Sequence, residues 1–249
     1  MTVVLVHGNP ETDAVWDRLV AALGRNDVVR LSPPGFGAPL PSDFSATFLA
    51  YRDWLVDELE GVDQPIDLVG HDWGGCHVVN AVMHRHDLVR SWVSDTVGLF
   101  DPDYVWHDAA QGFQTPEVGE QLVGIMRDGS IEDRAQQLAT LGLPADIATS
   151  FAAAQGPEMS TAILALYRSA CQPAMADAGR ALENAAARPG LSILATDDPF
   201  VGSDEIRRRA ADRAGAVTEV LDGLGHWWML EDPDRSATAL TRFWKSVDR

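Results

Sequence analysis

The stretch DLVGHDWGGC (residues 67–76) places an aspartate, Asp72, at the centre of a glycine-x-nucleophile-x-glycine pattern. A strand is predicted before this residue and a helix after it. When serine holds the central position, the pattern is typical of a sharp strand-to-helix turn that exposes a nucleophile. A carboxylate, with a usual pKa of about 4, is ionised at neutral pH and needs no base before it attacks a saturated carbon. The stretch therefore makes Asp72 a candidate nucleophile, and attack at a saturated carbon is one reaction that such a carboxylate could perform.

Other reactive side chains also follow predicted strands. The segment 7–10 (HGNP) follows the first strand, Asp197 and Asp198 follow the fifth, and His226 follows the sixth. Ligands of open α/β sheets bind at the carboxyl ends of the strands, so we expect these groups to meet Asp72 at one edge. Their order along the chain is nucleophile, acid, histidine, which is the order of a hydrolytic triad on a sheet of this kind.

Six short apolar runs predict the buried strands of a mostly parallel sheet. They are residues 3–6, 28–31, 66–69, 92–94, 191–195 and 217–221. Helical patterns of apolar residues separate the runs, so we predict the α/β class with helices on both faces of the sheet. Between residues 98 and 187 the helical spacing continues without a strand. We interpret 98–187 as a helical cap inserted into a core formed by 1–97 and 188–249.

The composition argues against several classes of protein. The 249 residues carry a net charge of −18, which disfavours binding to the phosphates of nucleic acids. No apolar run has the length of a membrane span and no secretory leader is visible, so we expect a cytoplasmic protein. Cys76 and Cys171 are expected to be small core residues in a reducing compartment. The histidines lack zinc-ligand spacing and no dinucleotide fingerprint occurs, so we predict neither a metal nor an organic cofactor.

The sequence resembles α/β-hydrolases of the branch that contains haloalkane dehalogenases and epoxide hydrolases, which use aspartate as the nucleophile. The matching segments are VLVHGNP (4–10), VGHDWGG (69–75), ATDDPFVG (195–202) and GLGHWWMLEDP (223–233). The resemblance covers nearly the whole chain and implies the α/β-hydrolase fold, a mostly parallel sheet flanked by helices with an inserted helical cap. Because the chain starts where the third strand of that family would be, we expect about six strands in place of eight.

The resemblance implies a catalytic triad of Asp72, His226 and Asp198. Asp72 would form an alkyl ester with the substrate, and His226 would then activate the water that hydrolyses this ester. Asp198 would orient His226 and stabilise its charged form. Two other acids stay open as the partner of His226: Asp197, which is the neighbour in sequence, and Asp95, which follows the fourth predicted strand.

The resemblance also assigns roles to Asn9 and Trp73. Their backbone N–H groups would form the oxyanion hole, and their side-chain N–H groups would bind a departing halide. An epoxide oxygen would instead need an acid such as a tyrosine from the cap. Tyr167 matches one such tyrosine and is a possible substrate contact from the cap, whereas Gly112 stands where a second tyrosine is expected.

We therefore expect a hydrolase that acts on a small apolar, halogenated or epoxide substrate with water. Haloalkane dehalogenase is the first hypothesis, because Asn9 and Trp73 match its halide donors. Epoxide hydrolase is the alternative, and a non-catalytic relative that binds small molecules is the second alternative. Small haloacids are disfavoured, because Trp73 and Cys76 stand where arginines would hold their carboxylate.

Overall fold

A computed structural model of the protein describes residues 1–248. Within this range, six parallel strands form one sheet in the order β2-β1-β3-β4-β5-β6. Their bounds are β1 (Thr2–Val6), β2 (Val28–Leu31), β3 (Ile66–Gly70), β4 (Ser91–Ser94), β5 (Gly190–Ala195) and β6 (Ala216–Leu221). The predicted α/β class and the six strands are confirmed, with bounds that differ from the prediction by one residue at some ends.

The chain reaches each next parallel strand through helices, because parallel neighbours require crossover connections. The α-helices are α1 (Asp17–Leu23), α2 (Phe48–Glu60), α3 (Trp73–Arg85), α4 (Asp108–Gln114), α5 (Val118–Asp128), α6 (Ile131–Thr140), α7 (Ala145–Ala154), α8 (Pro157–Ser169), α9 (Ala174–Ala178), α10 (Asp204–Arg213), α11 (Trp228–Glu231) and α12 (Pro233–Val247). Short 3₁₀ helices cover Asp13–Trp16, His86–Leu88, Val97–Phe100 and Gly179–Ala187.

Alternating side chains of β1 divide the hydrophobic core between the two faces of the sheet. Val3 and Leu5 belong to one cluster of buried residues, and Val4 and Val6 belong to the other. This division follows from the two-residue repeat of a strand. The two edge strands are less buried than predicted: β2 is half-buried along its length and Val217 of β6 is 64% exposed. An edge strand has no neighbour on one side, which explains the difference.

The segment between β4 and β5 is helical throughout its regular structure. It contains α4 to α9 together with two of the 3₁₀ helices, and the described residues form no named strand there. The limits of the cap, 98–187, stay a prediction about domain organisation. None of the helices described is both long enough and apolar enough to cross a membrane.

The glycine at position 74 generates a prediction about stability. A Cβ built on Gly74 would lie 2.2 Å from the carbonyl oxygen of Val6, because the first turn of α3 crosses the end of β1. We expect Gly74→Ala to lower the free energy of unfolding by about 1–3 kcal/mol through this clash. Urea unfolding followed by circular dichroism measures the change.

The matched control is Gly124→Ala within α5. A Cβ on Gly124 would meet nothing closer than an oxygen of Asp128 at 3.9 Å. Alanine has the higher helix propensity, so this variant should be neutral or more stable by up to about 1 kcal/mol. Equal destabilisation of the two variants would contradict the close approach at Gly74.

Candidate active site

Asp72 lies in a strained turn between β3 and α3. Its φ of 51° and ψ of −127° fall in a region that residues other than glycine rarely adopt. The loop after β1 comes so close that a Cβ on Gly8 would lie 2.3 Å from Asp72 Oδ2. Glycine is needed at position 8 for this approach. The turn and the loop together place the carboxylate at the carboxyl ends of the strands, with 17% of the side chain exposed.

The structure brings Asp72, His226 and Asp198 together. His226 Nδ1 lies 2.9 Å from Asp198 Oδ2, and His226 Nε2 lies 3.9 Å from Asp72 Oδ1. Of the three acids considered from the sequence, only Asp198 contacts His226 among the residues described. Asp197 is exposed, and Asp95 instead accepts a hydrogen bond from the backbone N–H of Asp72 at 3.0 Å.

The pKa values within this group shift in directions that suit a carboxylate–histidine relay. Burial lowers the pKa of His226, but the charge and hydrogen bond of Asp198 outweigh burial and raise it above 6.5. Burial raises the pKa of Asp198, and the charge of His226 brings it below its ordinary value. Burial raises the pKa of Asp72 above its ordinary value, and the opposing effects of His226, His71 and the N–H of Asn9, which favour the ionised form, are smaller.

The backbone N–H groups predicted as an oxyanion hole lie beside the Asp72 carboxylate. The N–H of Asn9 donates to Asp72 Oδ2 at 2.8 Å. Trp73 is the first residue of α3, so its N–H has no acceptor within the helix. If an ester formed on Asp72 were attacked at the Asp72 carboxyl carbon, negative charge would develop on Oδ2. The Asn9 N–H is placed to stabilise that charge.

The side chains of Asn9 and Trp73 both contact Tyr167. Asn9 Nδ2 donates to Tyr167 Oη at 3.3 Å. The Trp73 indole lies edge-on to the phenol ring, with the ring centroids 5.1 Å apart. Burial and the charge of Asp72 raise the pKa of Tyr167, while hydrogen bonds from Trp73 and Asn9 lower it in part. The three predicted residues thus meet, but the phenol oxygen takes the Asn9 side-chain donor that was expected to bind a halide.

A second group of charged residues, which the sequence analysis did not identify, lies behind the turn. His71 Nε2 lies 3.0 Å from Glu11 Oε1, and His71 Nδ1 lies 2.5 Å from Asp95 Oδ2. The indole of Trp227 donates to Glu11 at 2.6 Å, and that of Trp228 donates to Asp95 at 2.8 Å. All five side chains are buried. A histidine between two acids on different loops has no signal in a single sequence, because the contacts span up to 216 positions.

Within this buried group, Glu11 and His71 each favour the ionised form of the other. Burial lowers the pKa of His71, but the carboxylates of Glu11 and Asp95 raise it well above its ordinary range. Burial raises the pKa of Glu11, and the charge of His71 reverses the shift, to a pKa of about 2. His71 is therefore a buried imidazolium, and its ring centroid lies 4.6 Å from that of His226. Its positive charge favours the carboxylate form of Asp72.

One cluster offers metal ligands. Glu11, His71 and His226 present ligand atoms within 4.8 Å of one another. A metal ion there would have to displace the proton of His71 and the His71–Glu11 hydrogen bond, because a metal ligand must be deprotonated. The chemistry of these residues fits an ion pair better than a metal site.

A cavity of about 180 Å³ opens beside Asp72 and His226. Its walls combine residues of the sheet loops with residues of α4 to α8, and most of the surface is apolar. The lining residues are Asn9, Pro10, Asp72, His107, Ala109, Phe113, Met126, Arg134, Gln137, Leu138, Leu141, Gln155, Tyr167, Phe200, His226 and Trp227. A largely apolar cavity with a few convergent polar groups is typical of a small-molecule site.

The chain matches the alpha/beta hydrolase family over residues 3–239 and belongs to this family. Its fold resembles that of a loop variant of the haloalkane dehalogenase DbeA from Bradyrhizobium elkanii, with a TM-score of 0.76 and 20% identity over 99% of this chain and 90% of that chain. It also resembles the N-formylmaleamic acid deformylase Nfo from Pseudomonas putida, with a TM-score of 0.76 and 15% identity over 96% and 91% of the two chains. These likenesses confirm the predicted fold.

Among curated proteins, the chain is similar to "Probable oxidoreductase EphD" of Mycobacterium tuberculosis. The two sequences are 36% identical over 105 residues, which are 40% of this chain and 17% of that protein. The matched region is therefore about a sixth of a much longer relative. The family match makes the chain an alpha/beta hydrolase, and the structural likenesses support the fold.

The hydrogen bond between His226 and Asp198 predicts the direction in which the pKa of His226 shifts. We expect the imidazole of His226 to titrate above pH 6.5, because Asp198 stabilises its charged form. Asp198→Asn removes that charge and should lower the pKa of His226. Since the folded-state pKa is raised, the interaction stabilises the protein fully below pH 6.5 and is lost as the pH rises through the folded-state pKa. Ring-proton NMR titration measures the value, with Asp197→Asn as the control. A larger shift in the control would contradict the assignment of Asp198.

The buried group predicts a large effect on stability at Glu11. Glu11→Ala leaves the His71 charge and the Trp227 N–H without an acceptor, so we expect unfolding to need about 3–5 kcal/mol less. The control is Glu60→Ala, which removes an exposed partner of Arg85 and should leave the melting temperature nearly unchanged. Similar melting temperatures for the two variants would contradict the role of the buried pair.

Proposed function

We propose that the protein hydrolyses a bond at a saturated carbon through an ester formed on Asp72. The observation that carries the proposal is the chain of contacts from Asp198 to His226 at 2.9 Å and from His226 towards Asp72 at 3.9 Å, at the wall of a cavity. The gap between the imidazole and the carboxylate is too long for a hydrogen bond. Asp72 is thus available as a nucleophile, and His226 as a base for water.

The reaction would have two steps. In the first, Asp72 Oδ1 bonds to the saturated carbon while the bond from that carbon to the leaving group breaks. In the second, His226 takes a proton from water, and the resulting hydroxide attacks the carboxyl carbon of Asp72. The N–H of Asn9, now 2.8 Å from Oδ2, would stabilise the negative charge on that oxygen. The ester bond then breaks, and His226 returns the proton to the departing alcohol.

The contacts of Tyr167 favour an epoxide as the substrate. Because the phenol oxygen accepts the N–H of Asn9, its own proton is free to be donated into the cavity. Opening an epoxide produces an alkoxide, which would take this proton and leave a phenolate. The phenolate would regain a proton after hydrolysis, when the carboxyl group of Asp72 releases its own proton and returns to the carboxylate. Hydrogen bonds from Asn9 and Trp73, which already lower the pKa of Tyr167, would stabilise that phenolate. The geometry thus supports epoxide hydrolysis ahead of dehalogenation, the reverse of the order expected from the sequence.

Haloalkane hydrolysis is the second candidate. It is favoured by the same two N–H donors and by the likeness of the fold to a haloalkane dehalogenase. A departing halide would have to share these donors with the Tyr167 hydroxyl or displace it. The non-catalytic alternative differs from both reactions, because it requires no bond to Asp72.

Trapping the ester tests the proposed chemistry. We expect His226→Gln to accumulate a covalent adduct on Asp72, because the second step lacks its base. An epoxide adds its whole mass, whereas a haloalkane adds its mass less that of the hydrogen halide, so intact-mass spectrometry distinguishes the two leaving groups. The control His226→Gln/Asp72→Asn should carry no adduct. Absence of an adduct with every substrate that the native protein consumes would contradict the two-step scheme.

Removing the phenol hydroxyl separates the two candidate reactions. Tyr167→Phe should lower kcat/KM for a terminal epoxide by about 10²-fold or more, because the acid is lost. The same variant should keep or increase any turnover of the matching bromoalkane, because the Asn9 and Trp73 donors become free for halide. Diol formation and halide release are measured separately. Unchanged epoxide turnover would leave Tyr167 without a role as the acid.

A further inference from the structure

The α6 helix contributes one buried cation to the wall of the cavity. Arg134 lines the cavity that Asp72 and His226 also line, and only 8% of Arg134 is exposed. Among the lining residues, Arg134 alone carries a permanent positive charge, and Asp72 alone is acidic. A buried guanidinium in a largely apolar wall needs partners that compensate for the loss of water.

The protein supplies Arg134 with carbonyl oxygens but with no carboxylate. Its Nη1 donates to the carbonyl oxygen of Gln155 at 2.6 Å and, more weakly, to that of Met126 at 3.4 Å. Its Nε donates to the carbonyl oxygen of Ser130 at 3.4 Å. Within residues 1–248, no acid forms an ion pair with Arg134 and no acceptor is bound to its Nη2. The nearby Asp128 pairs with Arg127 at 2.6 Å.

A second polar side chain lies beside Arg134. Gln155 also lines the cavity and is 7% exposed, and its backbone oxygen is the acceptor of Arg134 Nη1. Its side-chain amide makes no hydrogen bond to any other residue that the structure describes. Arg134 and Gln155 are thus each more than nine-tenths buried and both line the cavity, and Nη2 of Arg134 and Nε2 of Gln155 have no acceptor among the residues that the structure describes.

These unused donors determine what the cavity can accept there. A hydrocarbon chain against them would leave a charge and an amide without partners, which is unfavourable. A carboxylate would accept from both, and charge-assisted hydrogen bonds of this kind are the strongest available to a ligand. The local cation would also offset the repulsion that a protein of net charge −18 exerts on an anion.

We propose, on the basis of the proposed function, that the substrate carries a carboxylate remote from its reacting carbon, and that Arg134 and Gln155 bind this carboxylate. The reacting carbon lies at Asp72, and an apolar linker passes the side chains of Phe113 and Leu138. The substrate class is therefore an ω-functionalised fatty or short-chain acid. This differs from a small haloacid, whose carboxylate would be adjacent to the reacting carbon.

The kinetic test compares ω-epoxyalkanoates with the matching uncharged ω-epoxyalkanamides over a series of chain lengths. We expect the native protein to prefer the carboxylate by about 10- to 100-fold in kcat/KM at the best length, mainly through a lower KM. Gln155→Met and Arg134→Gln should reduce this preference. Gln155→Met is the sharper variant, because it keeps the backbone oxygen that holds Arg134. Arg127→Gln removes an exposed cation nearby and serves as the control for charge alone.

A binding test is independent of turnover. The probes are an ω-hydroxyalkanoate and the matching alkanediol, and the signal is quenching of the fluorescence of Trp227 and the other tryptophans. The carboxylate should bind more tightly than the diol to the native protein and to Arg127→Gln, and this preference should be smaller in Gln155→Met, which keeps Arg134. Equal affinity of both probes for the native protein, or retention of the full preference in Gln155→Met, would overturn the proposal.

The two proposals fail in different ways. If the uncharged epoxide is hydrolysed as well as the carboxylate, and both probes bind equally, the ester mechanism stands and the carboxylate site is wrong. If no epoxide or haloalkane reacts and His226→Gln traps no adduct, while the carboxylate probe still binds through Gln155, the mechanism is wrong and the site stands.

Discussion

The close approach of the loop after β1 to the turn after β3 is the constraint on which the candidate site depends. The two strands are hydrogen-bonded neighbours, and Gly8 and Asn9 continue directly from β1 to the Asp72 carboxylate. The strained backbone at Asp72 is maintained because its N–H is held by Asp95 and its Oδ2 by Asn9. Strain of this kind persists only where neighbouring contacts determine the conformation.

His71 and His226 have different surroundings, although their ring centroids lie only 4.6 Å apart. His71 lies between the carboxylates of Glu11 and Asp95, which favour its charged form, whereas His226 has a hydrogen bond to Asp198 alone among the described residues and an open edge towards Asp72. The charge on His71 discourages a second positive charge nearby and therefore lowers the pKa of His226 in part. The charge of His71 thus affects the pKa values of both His226 and Asp72, although His71 does not line the cavity.

The sheet and the main polar residues of the candidate site could be predicted from the sequence. Buried parallel strands are short apolar runs, and residues that follow such strands meet at one edge, so Asp72 and His226 were expected together. The choice of Asp198 over Asp197 and Asp95 came from the family resemblance, since all three acids follow strands. The exposure of β6 was not predictable, because the pattern of apolar residues does not show which strand lies at the edge of the sheet. The pairing of Glu11 with His71 could not be predicted either, because it depends on side chains that meet only in three dimensions. The same is true of Arg134, which has carbonyl partners but no acidic partner among the described residues.

The contacts of Tyr167 show that substrate specificity was also hard to predict from the sequence. Tyr167 was predictable as a possible substrate contact, but its distance to Asn9 was not, because it depends on how α8 packs over the sheet. A shift of that helix by a few ångströms would free the two N–H donors for a halide. The order of the two candidate reactions consequently rests on helix packing and not on residue type.

The origin of Tyr167 in the helical insertion has a consequence for how such proteins diversify. The proposed nucleophile, base and acid partner all come from loops of the sheet, whereas the phenol and Arg134 come from α8 and α6. If the proposed mechanism holds, substitutions among the helices between β4 and β5 can change which bond is cleaved and in which molecules, without altering the residues that form the ester. Divergence in substrate preference should then accumulate in one contiguous third of the gene.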